Sequence, residues 1–519
     1  MLLMGAAVLA LGLVGTAGAE QLRIGVSADV TSMDPHFYNA TPNNEIAFHV
    51  FDTLTWVETS GEMVGRLATG WKAVTDTEWQ ITLRPDVKWH DGSAFTADDV
   101  VYSLKRLSTV EGAGGFASLL NTMTDVEKID DLTVRITTSS PAPNIPRALA
   151  LIAIVPAANE GKATPDYNSG TAMIGTGPYK FASYVPGTGV KLAANPDWWG
   201  GDLPWSEVEF TLVTNPAVRT TALLSGDFDV VQMPPATDLS RIDADPNYKI
   251  IKGPALRVAY VNPIRAIAAD GEGITGPDGK VLDPSPLEDL RVREALSLAI
   301  NREGLVDRIM LGTGAATSQM MPPGGYGFIP GLPELGYDPQ KAKALLAEAG
   351  YPDGFSLSLT VASDRVPLNV DVAQAIVQMW SRIGVNATVN AVPTAVYSNV
   401  GAGQKIPVYL GSMGNSSGEV GATLVSLLQT YDKEKATGSY NWSRYSNAEF
   451  DKILSAAMTA MDTAEREELL RQATGVMLKD FGVIPLYHIT NIWAAREGLT
   501  LDTRPDAMTI AWRVLPVSK

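Results

Sequence analysis

The chain has 519 residues, 45% of them hydrophobic and 19% charged, which excludes a disordered or fibrous polymer. At roughly 100 to 200 residues per domain it has room for two to four domains. With 40 Lys and Arg against 57 Asp and Glu the formal charge is −17, the wrong sign for neutralising a phosphate backbone, so no nucleic-acid partner is expected. The absence of cysteine removes thiolate catalysis, iron–sulfur clusters and structural disulfides.

Residues 1–19 carry no charge, run apolar from Leu2 to Val14 and end in Thr16-Ala17-Gly18-Ala19, the small-residue pattern of a signal-peptidase site. That stretch is short of the roughly 20 apolar residues a membrane span needs, so the reading is a signal peptide and an exported, soluble chain. No Lys or Arg precedes the apolar core, which points to a natural start further upstream. Without a cysteine the mature end is not expected to be a lipoprotein.

After the signal, Gln21 to Val26 alternates as a strand, and Ser27 to Pro35 leaves it as a loop. Trp79 to Leu83 is a second strand. A helix follows, capped by Thr96 with Asp99 at N3, and carries Val100, Val101, Leu104 and Leu107 on one face. Strands are expected at Val134–Thr138, Lys180–Tyr184 and Val208–Val213. From Leu290 helices take over. Val292, Leu296, Ala299 and Ile300 recur at helical spacing, and Asn301 caps a second helix. Asp338, Pro339 and Gly350 bracket another as N-cap, N1 and C′ residues. Strand Phe355–Val361, helix Val372–Ile383 closed by Gly384, and strand Val385–Val389 form a βαβ pattern. A strand at Ile406–Leu410, helices from Asn447 and Thr463, and a returning strand at Ile484–Tyr487 complete the chain.

Most candidate motifs lack the context their chemistry needs. Gly271 to Gly276 matches G-x-G-x-x-G, but Pro277-Asp278-Gly279-Lys280 follows as a turn rather than a helix, which argues against a pyrophosphate site. Gly414-Asn415-Ser416-Ser417-Gly418 matches G-x-S-x-G after a strand, and His488 is the one downstream histidine that could act as base, so a secreted serine hydrolase using Ser416 stands as the alternative function. His36, His49, His90 and His488 are too scattered for a local metal pair, and no metal or cofactor is expected. Trp198, Trp199, Trp205, Trp380 and Trp442 could stack on a ligand or fill a core.

Residues 83–106, Leu-Arg-Pro-Asp-Val-Lys-Trp-His-Asp-Gly-Ser-Ala-Phe-Thr-Ala-Asp-Asp-Val-Val-Tyr-Ser-Leu-Lys-Arg, resemble the signature of the family 5 bacterial extracellular solute-binding proteins, the dipeptide, oligopeptide and nickel binders of ABC importers. Further matches keep the family's order: Gly175-Thr176-Gly177-Pro178-Tyr179, Asn195 to Gly200, Leu290 to Leu296, Tyr337-Asp338-Pro339 through Pro352, Asn441 to Asn447 and Ile484-Pro485-Leu486. The resemblance implies an α/β, two-lobed periplasmic binding protein fold of type II, cluster C, with an extra subdomain in lobe I. Lobe I would be residues 20–261 plus 486–519, with the extra subdomain at about 45–170, and lobe II would be 262–485.

By the same resemblance the chain is a non-enzymatic receptor, expected to be monomeric, whose partners are a small-molecule or short-peptide ligand and the permease subunits of an ABC transporter. The hinge would lie near Tyr260, Val261 and Asn262 and near Pro485. In peptide-binding relatives an aspartate in a Trp-rich loop neutralises the ligand's amino terminus; here Met413 stands for the Trp and Asn415 for the Asp, leaving Glu419 as the one substitute. Arg365 resembles the arginine that pairs with a ligand carboxylate, Tyr397 an aromatic cleft residue, and Ser32 and Met33 an N-terminal loop bordering the ligand. Residues 265–284 resemble an insertion.

Overall fold

Alternating and continuous apolar runs place eleven strands of this chain in one sheet, seen in a computed structural model that describes residues 21–110, 116–366, 368–415, 417–435 and 437–517. The expected signal segment and Ser416 lie outside the described residues. In chain order the strands are β1 (Gln21–Val26), β2 (Tyr179–Val185), β3 (Gly189–Ala194), β4 (Glu207–Leu212), β5 (Val230–Gln232), β6 (Tyr248–Pro263), β7 (Gly314–Ala316), β8 (Phe355–Ala362), β9 (Val385–Val392), β10 (Val408–Gly414) and β11 (Ile484–Arg496). Across the sheet they run β9-β8-β10-β6-β11-β5-β1-β4-β3-β2, with β7 paired to β11.

One sheet serves two separate cores. At one end Leu22, Ile24, Val208, Phe210 and Trp205 share a buried cluster with Val190 and Leu192. At the other end Leu359, Val361, Ile376, Trp380 and Val385 form a second core, joined by Val292, Leu296 and Ile300 from the helix Leu290–Leu298 and its following turn. β8 is buried along nearly its whole length, as a parallel strand covered by helices on both faces must be. A third cluster is built on a separate four-stranded antiparallel sheet, where Trp79, Ile81, Leu83, Val134 and Ile136 face Val100 and Leu104 of the helix Ala97–Arg106. The Asp99 carboxylate holds that helix's start by accepting the Thr96 N–H at 2.8 Å and also accepts from Ala157 N–H at 2.8 Å, tying the helix to the neighbouring chain. The α/β architecture with an extra antiparallel subdomain is therefore present.

β6 and β11 link the two cores. Tyr248–Pro254 pairs with Thr490–Arg496 on the first-core side, and Val258–Val261 pairs with Ile484–His488 on the second. Between these stretches the register breaks, with the break spanning Pro254 to Val258. A bulge of this kind bends a strand and loosens its ladder. Tyr260 pairs with Gly411 and Pro485, Val261 with Leu410 and Ile484, and Asn262 with Tyr409, so all four expected hinge residues sit on the second-core side of the break.

Candidate ligand-binding cleft

The βαβ unit sets the geometry. β8 lies parallel to both β9 and β10, so the carboxyl ends of all three strands open on one edge of the second core. Ligands of open α/β sheets collect at such an edge. Each strand delivers an expected site residue there: Arg365 follows β8, Tyr397 sits in the helix Thr394–Ala402 after β9, and Met413, Asn415 and Glu419 end β10 and the loop behind it. β6 runs antiparallel to β10 and sets Arg257 opposite Gly414 at the same edge.

The side chains there are unequal in what they can offer. Tyr397 is buried and donates its hydroxyl to the Leu410 carbonyl at 3.0 Å, with its ring edge-on to Tyr409 and Trp442 at 6.0 and 5.6 Å. Met413 is half-buried against the same aromatic cluster. Asn415 works as a loop tie: its amide N–H donates to the Glu419 carbonyl and to Thr423 Oγ1, and its oxygen accepts from Ser417 N–H at 3.1 Å and Ser417 Oγ at 2.8 Å. Glu419 is buried in a two-point ion pair with Arg466, one limb at 2.7 Å, so its charge is already neutralised. Ser32 and Met33 lie inside the first lobe. Ser32 donates to Asn168 at 3.1 Å, Met33 belongs to the first core, and both are 3% exposed, as buried as Tyr397.

The loop behind β10 borders an open-sided space of about 50 Å³. Trp56, Glu58, Gly61 and Leu151 line it from the subdomain side, and Pro322, Gly325, Ser417 and Gly418 from the other. Glu58 and Asp506 reach it, but Arg513 and Arg504 neutralise them. Arg147 crosses the space: Nη1 donates to the Ser417 carbonyl and Nη2 to the Gly61 carbonyl, both at 3.2 Å, while the guanidinium lies over the Tyr326 ring at 5.0 Å. Burial lowers the Arg147 pKa, and the charge of Glu419 raises it back in part. Gly61 has φ +86, and a methyl group there would overlap the Gly324 carbonyl oxygen across the space, so this contact needs glycine.

Sequence reasoning missed Arg147, Arg257 and the Pro322–Gly325 segment. Arg257 sits in an alternating strand where an arginine reads as a solvent-facing residue, so no local signal marked it. His488 is buried where β11 meets Val258 and Ala315, and burial pushes its pKa down to about 4. The residues Gly271–Gly276 form a turn-rich loop in which Gly276 N–H donates to the Lys280 carbonyl. Among the described residues no cluster of His, Asp and Glu could hold a metal ion, and no helix is long and apolar enough to cross a membrane.

Residues 62–435 match the model of the bacterial extracellular solute-binding proteins, family 5 Middle. The chain belongs to this family. It is therefore a solute-binding protein and not an enzyme, which overturns the hydrolase alternative built on Ser416. It is 27% identical over 453 residues to heme-binding protein A of Haemophilus influenzae, covering 81% of this chain and 78% of that one. It is 26% identical over 459 residues to the dipeptide-binding protein of Escherichia coli, covering 83% and 81%. The structure of HbpA2 from Haemophilus parasuis superposes with a TM-score of 0.83 at 23% identity, covering 96% of this chain and all of the other, which shows a shared fold.

Proposed function

We propose that this chain is the periplasmic receptor of an ABC importer, capturing a small polar or peptide-like solute between its lobes and handing it intact to the permease subunits. One observation carries the reading: the cleft takes one wall from Phe48, Trp56 and Met508, which share a small buried cluster, and the other from Leu256 and the Pro322–Gly325 loop beside a separate cluster, while β6 and β11 run on together through a register break between Pro254 and Val258. A ligand touching both walls makes its full set of contacts only when they approach, so binding favours the closed arrangement. The proposed division is lobe I at 20–261 and 486–519 and lobe II at 262–485, although Ala259, Val261, Leu486 and Tyr487 pack with the second core; Arg365, Tyr397, Met413 and Asn415 are assigned to the lobe II side. The uncharged apolar segment ending in Ala17-Gly18-Ala19 supports export, and a net charge of −17 favours a soluble monomer with little adhesion to anionic lipid.

A thermal-shift screen over short peptides, opines, sugars and metal chelates tests this. A solute at 100 times its dissociation constant stabilises the native state by about 2.7 kcal/mol. The expected hit also contracts the scattering envelope. An envelope identical when empty and saturated, or release of a chemically altered solute, refutes the proposal.

A further inference from the structure

The register break in β6 leaves Ala255, Leu256 and Arg257 opposite the single residue Ile489 of β11. A strand opened in this way has backbone groups that its ladder no longer pairs, and these need partners elsewhere. Leu256 finds both of its own. Its N–H donates to the Pro505 carbonyl at 3.0 Å, and its carbonyl accepts the Asn415 N–H at 2.7 Å. One residue of the break thus ties the C-terminal segment Asp502–Met508 to the loop behind β10.

A second tie comes from β11. Asn491, paired with Gly253 just before the break, donates its side-chain amide to the Arg504 carbonyl at 3.0 Å and to the Pro505 carbonyl at 3.2 Å. Gly253 gives the segment room to lie against the sheet, since a Cβ there would stand 2.4 Å from Thr503 Cβ. The other side of the segment is fixed to the first lobe. Arg504 pairs with Asp506, donates to the Val57 carbonyl at 3.3 Å and lies over the Trp56 ring at 4.4 Å. Met508 and Ile510 are buried with Phe48 and Trp56, and Thr509 Oγ1 accepts from Trp493 Nε1 at 2.9 Å. Ala507 has φ +68, a left-handed conformation that alanine takes only where its surroundings impose it. All these anchors act on the first-lobe side of the break, whereas Asn415 follows β10 on the other.

We propose that Asp502–Met508 is a strap that sets the resting angle between the lobes and places the loop at Asn415, with Leu256 as the shared contact and Asn491 as the positioning residue that holds the strap to the sheet. This rests on the receptor reading and adds a control over closure through Asn491, a residue that does not line the cleft space. Both hydrogen bonds of Leu256 are made in the approached arrangement, in which Arg147 reaches the Ser417 carbonyl. Swinging Asn415 away from the strap stretches one or both, and a hydrogen bond weakens steeply as its geometry opens. The strap accordingly favours approach.

The test uses the full chain without solute, spin-labelled at Glu62→Cys in the subdomain hairpin and Glu465→Cys in the helix Thr463–Lys479, both exposed positions. Asn491→Ala removes two neutral hydrogen bonds and should raise the ratio of separated to approached lobes about tenfold, seen as a longer and broader distance distribution. Asn491→Asp should move it at least as far at pH 7, where a carboxylate faces two carbonyl oxygens, and should return toward the parent as pH falls and the acid regains a donor. A folded Asn491→Ala with the parent's distribution overturns the strap even if its urea midpoint falls, because lost stability alone marks Asn491 as structural. Where Asn491→Ala fails to fold by circular dichroism, amide hydrogen exchange in the parent decides: Leu256 and Asn415 N–H groups released by one opening should show protection factors within about tenfold of each other, and a larger difference overturns the strap. The receptor reading fails separately, when no peptide, opine, sugar or chelate shifts the parent's distance.

Discussion

Arg147→Met should loosen the approach of the two lobes in the absence of any solute. The wild-type side chain reaches the far wall through one charged hydrogen bond to the Ser417 carbonyl and through the Tyr326 ring face. A hydrogen bond from a charged donor contributes about 1.5–3 kcal/mol, and a partly desolvated cation–π contact about 1 kcal/mol. Fixing a long arginine costs about 1.5 kcal/mol of rotamer freedom, leaving a net of about 2 kcal/mol, or roughly a thirtyfold change in the ratio of approached to separated lobes. Met keeps the apolar stem and removes the crossing contacts together with the bond to the Gly61 carbonyl on the subdomain's own side. Because the chain has no cysteine, spin labels at Glu62→Cys and Glu465→Cys report one distance, from the exposed subdomain hairpin to an exposed lobe II helix. The variant should show a longer, broader distance distribution than the parent when both are empty, and a saturating ligand should restore the short one. Identical distributions in parent and variant would show that Arg147 contributes nothing to lobe approach.

Two further outcomes follow from buried charge. Glu45 in the helix Thr41–Val50 accepts from Thr509 N–H and from Gln232 Nε2, and burial pushes its pKa up to about 8. A raised folded pKa gives stability that is complete below the unfolded value and is lost as pH climbs through the folded one. Relative to Glu45→Gln, the parent should therefore lose stability by up to about 1.4 kcal/mol per pH unit as pH rises from about 5 toward 8, because the buried histidines, held below their ordinary value in the fold, add the same opposite slope to both proteins and cancel in the difference. Urea melts of the two proteins across that range measure it, and a difference that does not change with pH would contradict the reading. Glu419→Gln should destabilise the chain by about 3–5 kcal/mol by leaving Arg466 buried and unpaired, whereas adding Arg466→Met should recover most of the loss in the same urea assay.

The second lobe was the more legible half because its punctuation is local. Asp338 accepts Gln340 and Lys341 N–H groups as the N-cap, and Gly350 and Gly384 take the positive φ that ends their helices. The helix Thr41–Val50 gave no such signal: Asn43, Asn44, Glu45 and His49 are all buried, so it lacks a polar face and hence an apolar stripe. β6 drew no strand expectation, and Gly253 and Pro254 interrupt its alternation. They mark a break, but one inside a strand that continues past it. At the cleft, the family resemblance named Arg365, Tyr397 and Asn415, and in the fold each follows its own strand. It could not show that Glu419 meets Arg466, 47 residues away, or that Arg257 meets no acid among the described residues. Such facts depend on which distant elements become neighbours.

The central position of β11 governs how the molecule assembles. This strand, Ile484–Arg496, stands between β5 and β6 and also holds β7, yet it follows all three in the chain. Until it arrives, neither half has a finished sheet, and loop closure between partners more than 200 residues apart must precede the gain from their pairing. The two halves are thus completed by a single late event, and a nascent or truncated chain ending before Ile484 would leave β5, β6 and β7 with open edges together.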